Sequence, residues 1–371
     1  MKTGFNKNSA REVDLTPREL KYESLPAVLD STSLAFTLGI RHRTLWWLIV
    51  ANTYAKQLQD KGLYTKVSIP KRSGRGRRVL HTPCAALKNV QSVLLEVFLN
   101  DLPAPDYLGA YVPGRSIMHT VNQHVGKKFL ISVDITDFFP SITRHAVEAW
   151  FKDLGYDAEV ANLFGGLTTV PVERRVKKRG RAPYKYVLPQ GAPTSPALAN
   201  HVIRESFDEV FVKWLRGRYP SGTYTRYSDN IEISFERELA HADVEAVLTK
   251  LDGVLRANNL RRHPRKTKVR GPRNQRPMRV LGVSVQEHAN VPKRKYRYLR
   301  GLVHKVWCDG VPTLLERDDI DARDLDHAVQ IVRGMLQYWG AVNPEKMRGV
   351  IEKWEDIELV YRYQHNEKEA S

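Results

Sequence analysis

Apolar positions along the chain repeat with two periods, and the switches between them outline the elements. Residues 25–58 carry a helical pattern in which Leu45, Leu48 and Ile49 form an apolar stripe. Residues 64–70 alternate, Ser73-Gly74-Arg75-Gly76 supplies a turn, and residues 78–80 return, which predicts a β-hairpin with a basic tip. Residues 85–99 predict an amphipathic helix. Residues 128–135 predict a strand, with the apolar run Phe129-Leu130-Ile131 ending at an acid. Helices are expected over 145–154, 196–215 and 240–258. Residues 224–226 and 231–235 read as two strands joined at Ser228-Asp229-Asn230. Short strands are expected near 266–269 and 279–285, and from Lys293 the pattern is helical to about residue 363. Paired strands interleaved with helices predict an α+β fold rather than a doubly wound parallel sheet.

Charge adds a partner class to this outline. The 371 residues carry a net charge of +18, an excess that favours a polyanion. Between Arg261 and Arg300 stand 14 Lys or Arg against one acid, Glu287, so 40 residues hold +13 of the total. That stretch includes Lys268, Arg270, Lys293, Arg294, Lys295 and Arg297. Smaller basic clusters lie at 71–78 and at 174–181, the latter with Arg174, Arg175, Lys177 and Lys178. Concentration of this kind reads as a phosphate-tracking surface rather than a solvated face. Only Cys84 and Cys308 are present, which excludes a disulfide framework and a four-ligand zinc site. His304 and Cys308 share helical spacing but lack further ligands nearby. The start of the chain lacks an apolar signal core, and the longest apolar run, 45–51, is too short to cross a bilayer, so a cytoplasmic location is expected.

Three stretches carry chemistry. In Val133-Asp134-Ile135-Thr136-Asp137-Phe138-Phe139-Pro140, an acid at the end of a buried strand needs neutralising. A hard divalent cation would do this, with Asp134 and a neighbouring backbone carbonyl, that of Ile135, as oxygen ligands; a capping Asp is the plainer alternative. In Tyr227-Ser228-Asp229-Asn230, a tight strand turn pushes consecutive polar side chains out at one point, so Asp229 is expected to meet Asp134 across an antiparallel sheet. Two carboxylates there repel unless a cation lies between them. An ordinary Asp-Asn turn remains the alternative. Between these stretches, Leu188-Pro189-Gln190-Gly191-Ala192-Pro193-Thr194-Ser195-Pro196 predicts a rigid turn and then a helix start, with Ser195 as cap and Pro196 in first position.

In this order and spacing the three stretches resemble the signature motifs of reverse transcriptases, and the likeness runs from about Leu38 to Leu302. Upstream, Leu38-Gly39-Ile40, Tyr64-x-x-Val67-x-Ile69-Pro70-Lys71, Arg78-x-Leu80-x-x-Pro83, Leu87-Lys88-x-x-Gln91 and Gly114-Arg115-Ser116-Ile117 with His124 look like the bacterial enzymes. Downstream, Lys266-Thr267-Lys268 and Val280-Leu281-Gly282-Val283 fall where the family has its later palm motifs. The nearest likeness is to retron and related defence-associated enzymes. It implies a right-hand polymerase fold: an N-terminal helical extension (1–60), fingers (61–128), a palm (129–290) with a fingers insertion around 155–195, and a helical thumb (291–371).

It also implies roles. Asp134 and Asp229 would bind two Mg²⁺ ions, or Mn²⁺, with Asn230 as a third ligand in the catalytic set. Phe139 matches the family's gate against a 2′-hydroxyl, or is simply core. Gln190 and Gly191 would meet nucleotide and template, Lys71 and Arg78 the triphosphate, and Lys266 the pyrophosphate. The implied partners are a structured noncoding RNA as template and primer, its DNA product, deoxynucleoside triphosphates, a separate effector protein in an antiphage system, and no membrane.

The chain departs from the family where a second Asp usually follows the first in the strand turn. Asn230 stands there, keeping an oxygen ligand but losing a charge. Glu232, two residues on and on the same strand face, would supply a carboxylate or is a solvated strand glutamate. Thr120-Val121-Asn122-Gln123-His124 replaces the retron Asn-Ala-x-x-His element, and Val280-Leu281-Gly282 replaces Val-Thr-Gly. The alternative to an RNA-directed DNA polymerase is therefore an inactive RNA-binding scaffold.

Overall fold

The computed structural model describes residues 19–54, 62–70, 77–173, 184–272 and 277–369. Its centre is a four-stranded antiparallel sheet in the order Thr223–Tyr227, Asn230–Phe235, Phe129–Asp134, Lys268–Arg270. The strands, in chain order, are β1 (Tyr64–Pro70), β2 (Arg77–Pro83), β3 (Phe129–Asp134), β4 (Val170–Glu173), β5 (Tyr184–Val187), β6 (Thr223–Tyr227), β7 (Asn230–Phe235), β8 (Lys268–Arg270), β9 (Arg279–Val280), β10 (Val283–Val285) and β11 (Ala289–Asn290).

Strand alternation explains how one sheet serves two purposes. Phe129, Ile131 and Val133 of β3 face the same side as their partners Phe235, Ile233 and Ile231 of β7. All six lie in the larger hydrophobic core, with Phe207, Phe211 and Leu215 from the helices behind the sheet and Leu251, Val254 and Leu255 from helix His241–Ala257. The opposite face runs from Leu130 through Ser132 to Asp134, opposite Ser234, Glu232 and Asn230. It passes from apolar to polar to acidic along its length. A second core joins β9 and β10 to the helices Lys293–Asp309, Leu325–Val342 and Pro344–Glu369, and Leu130 and Val121 connect it to the sheet.

Most predicted elements are present, and the differences have local causes. The helix expected over 25–58 is two, Ser31–Thr37 and His42–Tyr54, parted where Gly39 takes φ +67°. The stripe Leu45, Leu48 and Ile49 is buried as expected. The strand expected near 279–285 is the hairpin of β9 and β10, because Leu281 (φ +49°) and Gly282 (φ +89°) reverse the chain between them. Lys266 closes a short 3₁₀ turn, Pro264–Lys266, so the strand begins at Lys268. Ser195 is the first helical residue rather than the cap; Thr194 occupies the cap position without a capping hydrogen bond. The helical stretch from Lys293 is three α-helices, the first two separated by residues 310–324 with a 3₁₀ turn at Val311–Leu314, the last two parted at Asn343. No helix among the described residues is long and apolar enough to cross a membrane.

Candidate active site

The acidic end of the sheet is built by a two-residue hairpin turn. Tyr227 pairs with Asn230, and Ser228 takes φ +59° to close the reversal. Asp134 pairs with Asn230 across β3 and β7, and the Ile135 amide donates to the Asp229 carbonyl at 2.8 Å. Asp134, Ile135, Asp229 and Asn230 therefore come together as the sequence predicts. Lys266 joins them: its Nζ donates to both carboxylate oxygens of Asp134 at 2.9 Å. The Asn230 amide Nδ2 donates to Asp229 Oδ1 at 3.0 Å.

Burial, followed by the neighbouring Asp134 charge, raises the Asp229 carboxyl above its ordinary pKa, while Lys266 and Arg78 pull it back. Two carboxylates and an amide oxygen at one end of the sheet, offset by the single Lys266 ammonium, form a hard-oxygen set of net negative charge, which fits a hard divalent cation. Among the described residues no group of three His, Cys, Asp or Glu side chains is placed to hold a metal, in keeping with Asn at position 230. His304 and Cys308 lie 3.9 Å apart and belong to no such group.

The turn stands on a buried polar network that sequence reasoning missed. Arg226, fully buried, forms a two-pronged pair with Asp208 (2.8 and 2.7 Å) and donates to the Asn200 side chain at 3.1 Å. The Tyr224 hydroxyl donates to Asp208 at 2.6 Å, and Asn200 Nδ2 donates to the Ala110 carbonyl at 2.6 Å. A π-helical bulge, Arg204–Glu209, brings Phe207 and Asp208 together into the interior. The available signal was an Arg in a strand otherwise alternating towards a core.

Beside the acids lies a cleft of about 690 Å³ between the sheet and the β9–β10 turn. Asp134, Asn230, Glu232, Lys266, Lys268, Arg270 and Arg279 line it, with Tyr227, Leu281 and Tyr338 as apolar walls. The Tyr338 hydroxyl donates to the Leu281 carbonyl at 3.0 Å and ties the turn to helix Leu325–Val342. At the sheet's other end, His124 bridges Ser234 and Thr225 at 2.7 Å each, and burial lowers its pKa to about 3, so the ring is neutral.

Glu232 is not a solvated strand residue: it is 5% exposed and accepts from Ser132 Oγ at 2.5 Å. Burial raises its pKa to about 8, with Ser132, Arg270 and Lys268 acting the other way. The folded carboxyl therefore holds its proton at pH values where the unfolded one has lost it, so stability falls as pH rises from about 4.5 to about 8. Glu232→Gln is expected to flatten that fall; a thermal midpoint that drops as steeply as in wild type between these pH values would contradict the assignment.

The other predicted site residues are more scattered. Arg78, exposed on β2, is near enough for its charge to act on Asp229. The Gln190 carbonyl accepts from the His81 amide at 2.8 Å, and at Gly191 (φ +123°) an added Cβ would meet the His81 carbonyl oxygen at 3.0 Å, so this turn needs glycine. Phe139 is half-buried beside Phe138 and Tyr111. Lys293, Arg294 and Arg297 are exposed on helix Lys293–Asp309, whereas Lys295 turns towards Tyr298 and Met335. Lys71, Arg174, Arg175, Lys177 and Lys178 lie outside the described residues.

Residues 69–285 match the family described as reverse transcriptase (RNA-dependent DNA polymerase). The chain belongs to the reverse transcriptase family. Its curated relatives include three retron reverse transcriptases. It is 31% identical to that of retron Mx65 from Myxococcus xanthus, over 76% of this chain and 62% of that one. It is 28% identical to that of retron Ec86 from Escherichia coli, over 76% and 78%, and 30% identical to that of retron Mx162 from Myxococcus xanthus, over 74% and 59%. The match spans less than two thirds of the length of both Myxococcus relatives. The α+β polymerase fold and the retron-type likeness agree with the sequence analysis.

Proposed function

We propose that this reverse transcriptase is an RNA-directed DNA polymerase of retron type, copying a structured noncoding RNA into DNA from deoxynucleoside triphosphates. The observation that carries the reading is the meeting of Asp134 and Asp229 at one end of the sheet, with Asn230 and Lys266 beside them. Mg²⁺ held by Asp134, Asp229, the Asn230 side-chain oxygen and the Ile135 carbonyl would activate the primer hydroxyl and stabilise the leaving pyrophosphate. Lys266, within reach of Asp134, would shift to the pyrophosphate and donate a proton there. Phe139 would close the site to a 2′-hydroxyl, while Gln190, Gly191, Arg78 and Lys71 would hold nucleotide and template. Lys268, Arg270 and the cation-rich helix from Lys293 would follow the nucleic-acid backbone, together with Arg174, Arg175, Lys177 and Lys178.

In this reading the fingers are β1, β2 and adjoining helices, the palm is the sheet with its helices, and the thumb is the second core. Strands β9 and β10, which pack in that second core, would in this reading be the part of the palm (129–290) that meets the thumb (291–371). An effector protein in a defence system and a cytoplasmic location complete the reading by likeness to retron enzymes.

The alternative, an RNA-binding scaffold without chemistry, rests on Asn230. Against it, Asn230 donates to Asp229 through its amide nitrogen, which leaves its oxygen as a ligand. Asn230→Asp restores a charge to the cation site. It is expected to lower the Mg²⁺ concentration for half-maximal primer extension, and an unchanged or higher requirement would place position 230 outside the metal site. No extension by wild-type protein on its copurified RNA, with either Mg²⁺ or Mn²⁺, would favour the scaffold.

A further inference from the structure

Helix His42–Tyr54 buries Leu45, Leu48, Ile49 and Asn52 where it packs against helices Ser31–Thr37 and Ala158–Thr168, Asn52 donating to the carbonyls of Gly166 (2.8 Å) and Thr169 (2.7 Å). Its outward face is unusual. Trp46 is 41% exposed, Trp47 54% and Val50 43%, and Arg43 shares the face at helical spacing. Two large aromatic rings held in water on one helix are costly without a ligand or partner. They belong to no part of the cleft beside Asp134 and Asp229.

The rings sit on a segment that is itself cationic, with Asp30 near enough to His42 for their charges to interact. Ser31 through Tyr54 contain no Asp or Glu but do contain Arg41 and Arg43, both exposed. Asp30, the nearest acid before them, caps helix Ser31–Thr37 by accepting from the Ser33 amide at 2.7 Å. The Trp46 indole is held in place: Nε1 donates to His42 Nε2 at 3.0 Å, and Ser31 Oγ lies 2.9 Å from the same nitrogen. One indole fixed by His42, a second beside it and two arginines on the same segment match a ligand that offers flat π-faces joined by phosphates. A two-fold contact between copies would instead set Arg41 and Arg43 near their own equivalents, with no acid on that segment to offset them.

We infer that the face formed by Arg43, Trp46, Trp47 and Val50 is a second nucleic-acid site, which stacks unpaired bases of a single-stranded RNA outside the polymerase cleft. The site rests on the reading of this chain as an RNA-handling enzyme but needs no catalysis.

The test uses the full chain, an unstructured RNA oligomer of about 12 nucleotides, and a parallel extension assay on a pre-annealed duplex. Replacing both indoles, Trp46→Ala with Trp47→Ala, is expected to weaken oligomer binding at least about tenfold, because both stacking rings are lost. Trp46→Phe with Trp47→Phe is expected to keep most of the affinity, and duplex extension at saturating substrate is expected to stay at the wild-type level. Unchanged oligomer affinity in the alanine variant overturns the inference, as does a wild-type protein that does not bind the oligomer. A wild-type dimer that the alanine variant breaks, with RNA affinity unchanged, also overturns it and makes the face a contact between copies. Indole-dependent binding without any extension by wild type would sink the polymerase reading alone.

Discussion

Asp229→Ala is expected to reduce primer extension by about a thousandfold or more, since a metal-centred contribution of several kcal/mol is lost and each 1.4 kcal/mol is a factor of ten. The same substitution is expected to leave the fold intact, or to raise its thermal midpoint at neutral pH. The charged form of Asp229 is disfavoured in the folded protein by burial and by Asp134, so its removal relieves a local cost. The two readouts separate a catalytic ligand from a structural one. Extension within a few fold of wild type would remove Asp229 from the catalytic set, and lost extension with a collapsed midpoint would make it a structural residue.

Arg226→Ala is expected to act through stability. It strips the buried Asp208 carboxylate of both guanidinium contacts and leaves the Asn200 side-chain oxygen without its 3.1 Å donor. Breaking one side of a buried pair costs about 3–5 kcal/mol, a large part of the roughly 5–15 kcal/mol that holds a domain folded. Replacing both partners, Arg226→Met with Asp208→Leu, is expected to recover much of that loss because no charge is left stranded. The recovery is incomplete, since the Tyr224 hydroxyl loses its 2.6 Å acceptor. Denaturant midpoints of the three proteins decide it: a cost below about 1 kcal/mol for Arg226→Ala would show that Asp208 finds another partner.

The meeting of Asp134 with the Asp229-Asn230 turn was legible because its signals are local. An apolar run ending at Asp134, and two short strands around Ser228-Asp229, fix which residues meet once the strands pair. Register then follows from alternation, with Phe129, Ile131 and Val133 inward and Asp134 outward. What was not legible depends on neighbours distant in sequence. Helix Ala158–Thr168 is not among the predicted elements, and it contains Gly165 and Gly166. Their small size is a packing requirement: an added Cβ would lie 2.8 Å from Glu148 at one and 3.2 Å from Ile49 at the other. Glu232 is open to two readings in the sequence, a carboxylate ligand or a solvated strand residue, because the β9–β10 hairpin that walls the cleft lies far along the chain. Arg226 and Asp208 are eighteen residues apart, and nothing in either local pattern marks them as one buried pair. Leu281-Gly282 reverses the chain within an apolar run that otherwise reads as a single strand.

The most direct test is a primer-extension assay with purified wild-type protein, Mg²⁺, deoxynucleoside triphosphates and an RNA template carrying an annealed primer. Radiolabelled DNA complementary to the RNA is the expected product, absent when Asp134 or Asp229 is replaced by Ala. A wild-type protein that binds the annealed RNA but adds no deoxynucleotide with Mg²⁺ or Mn²⁺ would show that Asn230 has ended the chemistry, leaving a reverse-transcriptase fold that only binds RNA.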